Sequence, residues 1–222
     1  MKVVGIVPIK LNNERLPNKN LLSFTNGKPL ITYILNTLIK VQNLDECYVF
    51  CSNEAVIPYL PNGVIFLKRE STLDTFTTTS NEILSSFTSK VDADIYVLAH
   101  ATSPFISAES IQKGIDMVLA GEYDSALAVT PIQTFIWENN LPANYDPQNI
   151  PRTQDLQPIF TETSGFYAFT KTLFANEKRR VGHNPYLVEV SKIEAIDIDE
   201  PEDFIIADAI YNHLQHNKEV KR

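Results

Sequence analysis

Two aspartates, Asp197 and Asp199, are separated by one residue near the end of the sequence. The apolar residues around them predict a strand over 194–197, so both side chains should leave the same face, roughly 6.6 Å apart. Two carboxylates in this arrangement suit Mg²⁺, a hard cation that prefers oxygen ligands. An ion held there could bridge phosphate groups and offset charge in an in-line displacement at phosphorus.

The same acidic stretch has a structural alternative. Asp199 or Glu200 can cap the helix that follows, Pro201 fits its first turn, and further acids suit its positive end. We favour this helical role for three acids: Glu200, Glu202 and Asp203. Asp197 is favoured as a metal ligand because it lies inside the predicted strand, and Asp199 could serve both purposes.

A second candidate site is the loop of residues 8–20, which follows the first predicted strand. In an open α/β sheet, ligands bind beyond the carboxyl ends of the strands. Asn12 and Asn13 tolerate a left-handed backbone, so the loop could form a nest of N–H groups for an anion. The alternative is a solvated surface loop. In a chain of net charge −8, this loop carries three basic residues: Lys10, Arg15 and Lys19.

Strand-like and helix-like segments alternate along most of the chain, which predicts an α/β fold with a mainly parallel sheet. Strands are predicted at 3–8, 46–52, 64–67, 94–98, 125–129 and 159–169. Helices are predicted from about Pro29, after the capping box that begins at Thr79, after Ser107, and near the end of the chain.

The alternation fails over residues 131–158, which are rich in Pro, Asn and Gln. This stretch predicts a loop or a small excursion, a common place for substrate or subunit contacts. Ser164-Gly165 interrupts the apolar residues of the next strand, and we place the irregular excursion at about 131–165. We therefore predict one domain over 1–222, with a tail after His216 that frays.

Composition excludes several classes of protein. The net charge of −8 argues against general binding to nucleic acid or to anionic membranes. No apolar run approaches the roughly 20 residues that span a bilayer, and the N-terminus does not resemble a signal peptide. Cys47 and Cys51 are four apart in a predicted strand, roughly 13 Å, too far for a disulfide. We expect buried, reduced cysteines and a cytoplasmic protein.

The loop after the first strand resembles the signature loop of the acylneuraminate cytidylyltransferases, which make CMP-activated sialic and related sugar acids. Lys10 stands where the family has arginine, and Asn12, Asn13 and Glu14 depart from the pattern. Glu14 reverses a charge, so it is expected to point away from phosphate or to have another partner. The matching residues are Pro8, Arg15, Leu16, Pro17, Lys19 and Asn20.

Further segments resemble the family in the same order along the chain: Gly27-Lys28-Pro29-Leu30-Ile31, Thr102-Ser103-Pro104, Arg152-x-Gln154-x-Leu156-x-Pro158 and the run from Ile196 to Asp203. The resemblance implies a three-layer, Rossmann-like nucleotidyltransferase fold and a homodimer whose excursion reaches the partner's site. It implies an enzyme that transfers CMP from CTP to a small acidic acceptor, with Mg²⁺ and release of pyrophosphate. Such enzymes activate sugar acids for cell-surface polysaccharides.

The resemblance also implies roles for individual residues. Lys19 would contact the leaving phosphates, Lys10 the α- or β-phosphate, and Arg15 is a weaker phosphate candidate, while Asp197 and Asp199 would hold the metal. The remaining nucleotide contacts would be Leu11, Asn12, Asn13, Asn20, Arg69, Thr78 and Ser80. The acceptor contacts would be His100, Thr102, Ser103, Arg152, Gln154, Glu162 and Thr163.

The departures from the family cluster on the acceptor side. His100 replaces a glutamine, Ala101 a proline, and Thr163-Ser164-Gly165 stands for Asn-Gly-Ala. Alternatively, His100 is a satisfied half-buried histidine and Arg152 a surface residue. We expect the CTP half of the reaction to be kept and leave the acceptor open, with a sugar acid first and a phosphonate or phosphate as alternatives.

Two other functions remain open from the sequence. Glycosyltransferases of the GT-A type also hold a metal–nucleotide with Asp-x-Asp, although there the motif usually lies mid-chain. A non-catalytic nucleotide-binding relative would explain the departures at Asn12, Asn13 and Glu14. Release of pyrophosphate from CTP with an acceptor distinguishes the predicted enzyme from both.

Overall fold

The computed structural model describes residues 1–220, with side chains described for residues 1–216. The strands are β1 (Val3–Ile9), β2 (Glu46–Cys51), β3 (Val64–Lys68), β4 (Ile95–Ala99), β5 (Ser125–Ile132), β6 (Trp137–Glu138), β7 (Leu141–Pro142), β8 (Ile159–Thr170) and β9 (Pro185–Glu189). The helices are α1 (Ile31–Leu38), α2 (Ser80–Thr88), α3 (Ala108–Leu119), α4 (Lys171–Glu177) and α5 (Pro201–Val220). The tail predicted to fray after His216 is helical as far as Val220, and residues 221–222 lie outside the described residues.

Seven strands form the central sheet in the order β3-β2-β1-β4-β8-β5-β9. β8 runs antiparallel to β4 and β5, whereas the other pairs are parallel. The predicted mainly parallel α/β sheet is therefore confirmed. The carboxyl ends of β1, β2 and β4 meet at one edge, where an α/β sheet binds its ligands.

Helices cover both faces of the sheet. Side chains alternate along each strand, so apolar residues on both faces need to be buried. On β1, Val3 and Val7 face the core that contains α1 and α3, whereas Val4 and Ile6 face the core that contains α2. Residues of α4 join this second core. The three-layer architecture is thus confirmed. Both cysteines are free and buried, as predicted.

Local signals fixed two helix starts correctly. The Thr79 hydroxyl accepts a hydrogen bond from the Glu82 N–H, and the Glu82 carboxylate accepts one from the Thr79 N–H, which completes the capping box. Ser107 caps α3 by accepting from the Ser110 N–H. α1 begins at Ile31, two residues after the predicted start at Pro29.

The predicted strand over 194–197 is wrong, and so is the argument that a strand aims Asp197 and Asp199. Residues 192–195 form a turn, in which the Ala195 N–H donates to the Ser191 carbonyl at 2.9 Å. Ser191 and Glu194 stabilise this turn because the backbone N–H of each donates to the side chain of the other. α4 and β9 were not predicted.

The excursion is shorter than predicted. Ile132 of β5 pairs with Ile159 of β8, so only residues 133–158 leave the sheet. They contain the hairpin β6–β7, whose turn residues Asn139 and Asn140 have φ angles of 50° and 64°. Asparagine tolerates such angles, which match a tight hairpin turn. No helix within residues 1–220 is both long and apolar enough to cross a membrane.

Candidate active site

The segment that contains the aspartate pair lies against the loop that follows β1. Ile198 is fully buried in a cluster with Phe24 of this loop and Ala207 of α5. The Ile198 N–H donates to the Thr102 carbonyl at 2.9 Å, and the Lys19 ammonium donates to the Ile198 carbonyl at 2.7 Å. The structure therefore brings together the basic loop, the loop after β4 and the aspartate pair.

Both carboxylate oxygens of Asp199 are engaged by cations. The Lys19 ammonium is 2.9 Å from Oδ1, and the Arg15 guanidinium is 2.8 Å from Oδ2. Burial raises the pKa of Asp199, but the hydrogen bonds from Lys19 and Arg15 outweigh it, so the pKa lies below its usual range. Arg15 also pairs with Glu200 at 2.9 Å.

Asp199 does not cap α5 with its side chain, contrary to one expectation. Instead the Asp203 carboxylate accepts from the N–H groups of Asp199 and Glu200, at 3.0 and 2.8 Å. Asp203 thus satisfies these donors at the positive end of the helix. The Asp199 carboxylate is therefore available to pair with Lys19 and Arg15 of the basic loop. The predicted helical role of Asp203 is confirmed, and Pro201 is the first residue of α5.

Asp197 carries an unsatisfied buried oxygen. Its Oδ1 has no hydrogen-bond partner among residues 1–216. A buried carboxylate oxygen without a partner is costly, so the position fits a cation. The described part of the chain holds no group of three or more His, Cys, Asp or Glu side chains able to bind a metal. A Mg²⁺ ion would therefore need other ligands, such as substrate phosphates and water.

A cavity of about 370 Å³ lies between the basic loop and Asp199. Glu14 is among the residues that line this cavity. The Lys10 ammonium is 5.0 Å from the centroid of the Phe76 ring, and Asn13 has a buried Oδ1 without a hydrogen-bond partner among residues 1–216. The lining consists of Lys10, Asn13, Glu14, Arg15, Leu16, Lys19, Phe76 and Asp199.

The backbone of the loop differs from the predicted nest. Asn12 and Asn13 are not left-handed; the left-handed residue is Asn18, with φ of 54°. Asn20 is buried and donates to the Lys10 carbonyl at 2.9 Å, which closes the loop on itself. Leu11 packs against the core and anchors the start of the loop.

Arg69 lies at the carboxyl ends of β1 and β2 and is only 2% exposed. Its Nη2 donates to the Ile9 carbonyl at 3.0 Å and pairs with Asp74. Asp74 also binds the Ser52 hydroxyl, and its carbonyl accepts from Asn12 at 2.8 Å. In this arrangement Arg69 ties the ends of β1 and β2 to the loop.

The remaining predicted nucleotide contacts lie near the start of α2. The Thr78 hydroxyl is 2.7 Å from that of Thr75, and Ser80 is the first residue of the helix. Ser80 lines a cavity of about 480 Å³ that also includes Glu162 and Arg180. Predicted nucleotide and acceptor residues therefore share one opening.

The predicted acceptor residues of β4 and β8 lie side by side. His100 Nδ1 is 2.7 Å from the Ser164 carbonyl oxygen, and burial lowers the pKa of this imidazole. Thr163 is buried, and its hydroxyl donates to the Ala128 carbonyl at 3.2 Å. Ser103 is also buried, and its hydroxyl has no partner within residues 1–216.

Arg152 and Gln154 lie outside this group. Both oxygens of the Asp155 carboxylate accept from Arg152, at 2.8 and 2.9 Å, so this guanidinium is already paired bidentately. Gln154 belongs to a short 3₁₀ helix and is exposed. No hydrogen bond or ion pair joins either residue to the residues above within the described part of the chain.

Three residues near the candidate site were missed by the sequence reasoning: Phe76, Tyr167 and Arg180. Phe76 and Tyr167 look like ordinary apolar positions, and only their neighbours in space reveal them. Arg180 follows Arg179, and a pair of arginines in an acidic chain was an available signal. It was overlooked because the connector that holds it joins α4 and β9, which were themselves not predicted.

The sequence profile of the family described as cytidylyltransferase matches residues 4–216. The chain belongs to the cytidylyltransferase family. It is 25% identical over 234 residues to an N-acylneuraminate cytidylyltransferase of Streptococcus agalactiae, covering 100% of this chain but 56% of that protein. It is 24% identical to a pseudaminic acid cytidylyltransferase of Campylobacter jejuni, covering 96% of this chain and 98% of the relative.

Solved structures of similar fold extend the comparison of this cytidylyltransferase-family chain. A CMP:2-keto-3-deoxy-manno-octonic acid synthetase complexed with CTP superposes with a TM-score of 0.70 at 18% identity, covering 96% of this chain and 99% of that one. A 4-diphosphocytidyl-2C-methyl-D-erythritol synthase from Anaerococcus prevotii gives 0.67 at 14% identity, covering 95% and 96%. These likenesses establish the fold. The chain spans about half the length of the streptococcal relatives.

Proposed function

We propose that this protein transfers CMP from CTP to a small acidic acceptor and releases pyrophosphate, with Mg²⁺ as the metal. The observation that carries the proposal is that Lys19 and Arg15 both pair with Asp199, two residues from Asp197, whose buried Oδ1 has no partner among residues 1–216. Names of relatives support it, because they are cytidylyltransferases of acylneuraminic and pseudaminic acids. A structural neighbour complexed with CTP supports the choice of nucleotide.

The basic loop would hold the triphosphate. In its absence, Asp199 neutralises Lys19 and Arg15. A triphosphate would replace Asp199 as the partner of these cations, with Lys19 on the leaving phosphates and Lys10 on the α- or β-phosphate. Leu11, Asn12, Asn13 and Asn20 would shape the loop, and Arg69, Thr78 and Ser80 would contact the nucleoside.

In the proposed reaction an acceptor oxygen attacks the α-phosphorus of CTP. A bond forms between them, the bond from this phosphorus to the bridging oxygen breaks, pyrophosphate leaves, and the acceptor proton passes to solvent. The residues would contribute mainly by positioning and by stabilising charge. Asp197 and Asp199 would hold Mg²⁺, which supplies positive charge to the reacting phosphates.

For the acceptor we propose a sugar acid, because the named relatives act on such acids. His100, Thr102 and Ser103 would face it from the end of β4, and Glu162 and Thr163 from β8. A phosphonate or phosphate is the second candidate, suggested by the departures at His100 and 163–165. With a sugar acid as the acceptor, the product would be an activated sugar acid for cell-surface polysaccharides.

We also propose a homodimer and a cytoplasmic location. Arg152 and Gln154 lie away from the site of their own subunit, which a dimer would explain if the excursion reaches the partner's site. The cytoplasm is proposed because Cys47 and Cys51 are free thiols, as expected in a reducing compartment.

A pyrophosphate-release screen tests the function. CTP is compared with the other nucleoside triphosphates, and the acceptors are nonulosonic acids, 3-deoxy-manno-octulosonate, phosphonates and small phosphates. We expect release only with CTP, Mg²⁺ and an acid. Binding of CTP without release across the panel would favour a non-catalytic relative, and transfer from nucleotide sugars would favour a glycosyltransferase.

The variant Asp197→Asn tests the metal assignment. Asparagine keeps the shape of the side chain and removes its charge, so turnover should fall by about 100-fold or more while the fold persists. Circular dichroism and thermal unfolding check the fold. Full activity of Asp197→Asn at limiting Mg²⁺ would overturn the assignment.

A further inference from the structure

Arg180 packs on the Tyr167 ring, next to the proposed acceptor residues. Its guanidinium carbon lies 3.9 Å from the centroid of the Tyr167 ring. The Tyr167 hydroxyl donates to Glu162 at 2.9 Å, and the ring meets that of His100 edge-on, with centroids 6.3 Å apart. Arg180 therefore lies over a ring that two proposed acceptor residues also contact.

Among residues 1–216, no ion pair neutralises the charge of Arg180. No carboxylate among residues 1–216 lies within ion-pair distance of it, and the residue is half-buried. Its neighbour Arg179 differs, because it pairs with Glu177 and donates to the Gly182 carbonyl at 2.9 Å. A half-buried guanidinium over an aromatic ring still presents N–H groups, which suit the planar oxygens of an anion.

The surroundings of Arg180 connect both halves of the proposed reaction. Arg180 lines the cavity of about 480 Å³ together with Ser80, a proposed nucleotide contact, and Glu162, a proposed acceptor contact. Arg180 therefore borders the same opening as a residue of each proposed half-site.

We propose that Arg180, supported by the Tyr167 ring, binds an anionic group of the acceptor, a carboxylate or a phosphonate, and thereby selects acids over neutral analogues. The inference rests on the proposed function for the identity of the reaction. Arg152 is already paired with both oxygens of Asp155, so it is less available within its own subunit. Tyr167 is a positioning residue for the guanidinium.

The first test compares Arg180→Met with the wild-type protein in pyrophosphate release at saturating CTP. The acceptors are N-acetylneuraminate, 3-deoxy-manno-octulosonate and 2-hydroxyethylphosphonate, so the panel separates carboxylate from phosphonate. We expect the acceptor KM to rise about 10-fold or more, with the KM for CTP changed by less than about twofold. Arg180→Lys should restore part of the loss. Lys178→Met removes the same charge two residues away and should leave both KM values unchanged.

The second test compares the wild-type preference for each carboxylate over its methyl ester with that of Arg180→Met. This preference should shrink in the variant, because the lost group is the one that senses the charge. An unchanged preference, or a rise in the KM for CTP in place of the acceptor KM, would overturn the inference. Thermal unfolding verifies that Arg180→Met is folded.

A binding measurement keeps the inference separate from the proposed function. The same acids are titrated calorimetrically into CTP-loaded protein without Mg²⁺, which requires no turnover. Acid binding by the wild type that Arg180→Met weakens supports the role of Arg180 even if no pyrophosphate appears, in which case the proposed function alone fails. Equal binding by both proteins, or no acid binding by the wild type, overturns it.

Discussion

Lys19 holds two parts of the site together at the scale of single residues. It is only 8% exposed, and its ammonium bonds both to the Ile198 carbonyl and to Asp199. Burying an ammonium is costly unless it is paired and hydrogen-bonded, so these two contacts explain how the side chain can be enclosed. The Lys19 ammonium, which is proposed to bind the triphosphate, therefore also positions the aspartate segment.

The variant Lys19→Met tests both the structural role of Lys19 in positioning the aspartate segment and its proposed role in binding the triphosphate. It leaves a buried carbonyl without its donor and removes one of the two cations at Asp199. We expect the free energy of unfolding to fall by about 1–3 kcal/mol and the affinity for CTP to fall at least about 10-fold. Urea unfolding and calorimetry measure the two effects.

Lys10→Met is the matched control, since Lys10 has the Phe76 ring as its described neighbour and no ion pair within residues 1–216. It should weaken CTP binding with little change in unfolding free energy. If Lys19→Met lost no more stability than Lys10→Met, Lys19 would have no positioning role.

Residue types could be predicted from sequence better than residue contacts. The basic loop and the aspartate pair were both predicted, and the structure places them together. The pairing of Lys19 with Asp199 was not predicted, because the partners are 180 positions apart and no local pattern encodes it. For the same reason the enclosure of Arg69 by the ends of β1 and β2 was missed.

At the scale of secondary-structure elements, the turn over 192–195 connects α3 to the aspartate segment. The Glu194 carboxylate accepts from the Ser107 N–H at 3.1 Å and from the Ser110 hydroxyl at 2.7 Å, both at the start of α3. Burial raises the pKa of Glu194, but the hydrogen bonds from Ser107, Ser110 and Ser191 outweigh it and lower the pKa overall. The ionised carboxylate is therefore the form that stabilises the fold.

The variant Glu194→Gln should lower the free energy of unfolding by about 1–2 kcal/mol at pH 7, because charge-assisted hydrogen bonds are lost. The folded pKa lies below the unfolded value of about 4.3, so the wild-type advantage is present above that value. It disappears as the pH falls through the folded pKa. Urea unfolding at pH 7 and below pH 4 measures the difference between the two proteins.

Glu109→Gln is the control, since Glu109 is exposed in the first turn of the same helix. It should cost only a few tenths of a kcal/mol, through the helix dipole. A Glu194→Gln deficit that stays constant as the pH falls would contradict the role assigned to the ionised carboxylate.

Elements with strong local signals could be predicted, and elements defined by their neighbours could not. The capping box at Thr79 predicted the start of α2, and the cap at Ser107 predicted the start of α3. β9 is an edge strand that pairs only with β5, and α4 has seven residues, so neither shows a long period. The Ser191-x-x-Glu194 spacing is itself a capping-box pattern, and the apolar residues beside it misled the strand assignment.

At the scale of the whole molecule, the alternation of elements predicted a mainly parallel sheet but not its strand order, and the assembly has to be argued from the surface. The excursion of residues 133–158 exposes apolar side chains, with Trp137 60%, Leu141 68% and Ile150 63% exposed. Apolar patches of this kind usually mark an interaction surface. A second copy of the chain is the proposed partner, since the excursion also carries Arg152 and Gln154 away from their own site.

The variant Leu141→Glu should therefore convert a homodimer to a monomer. A buried carboxylate without a partner costs several kcal/mol in an interface, twice in a symmetric dimer, and this exceeds what one exposed leucine contributes to the monomer. Light scattering after size exclusion at micromolar concentration measures the mass.

Ile205→Glu, at a residue of α5 that is 69% exposed, is the control of equal chemistry outside the excursion and should remain dimeric. A monomeric wild type, or dissociation caused by Ile205→Glu alone, would contradict the assignment. If Arg152 acts across the dimer, monomeric Leu141→Glu should keep its affinity for CTP and lose turnover of the acceptor.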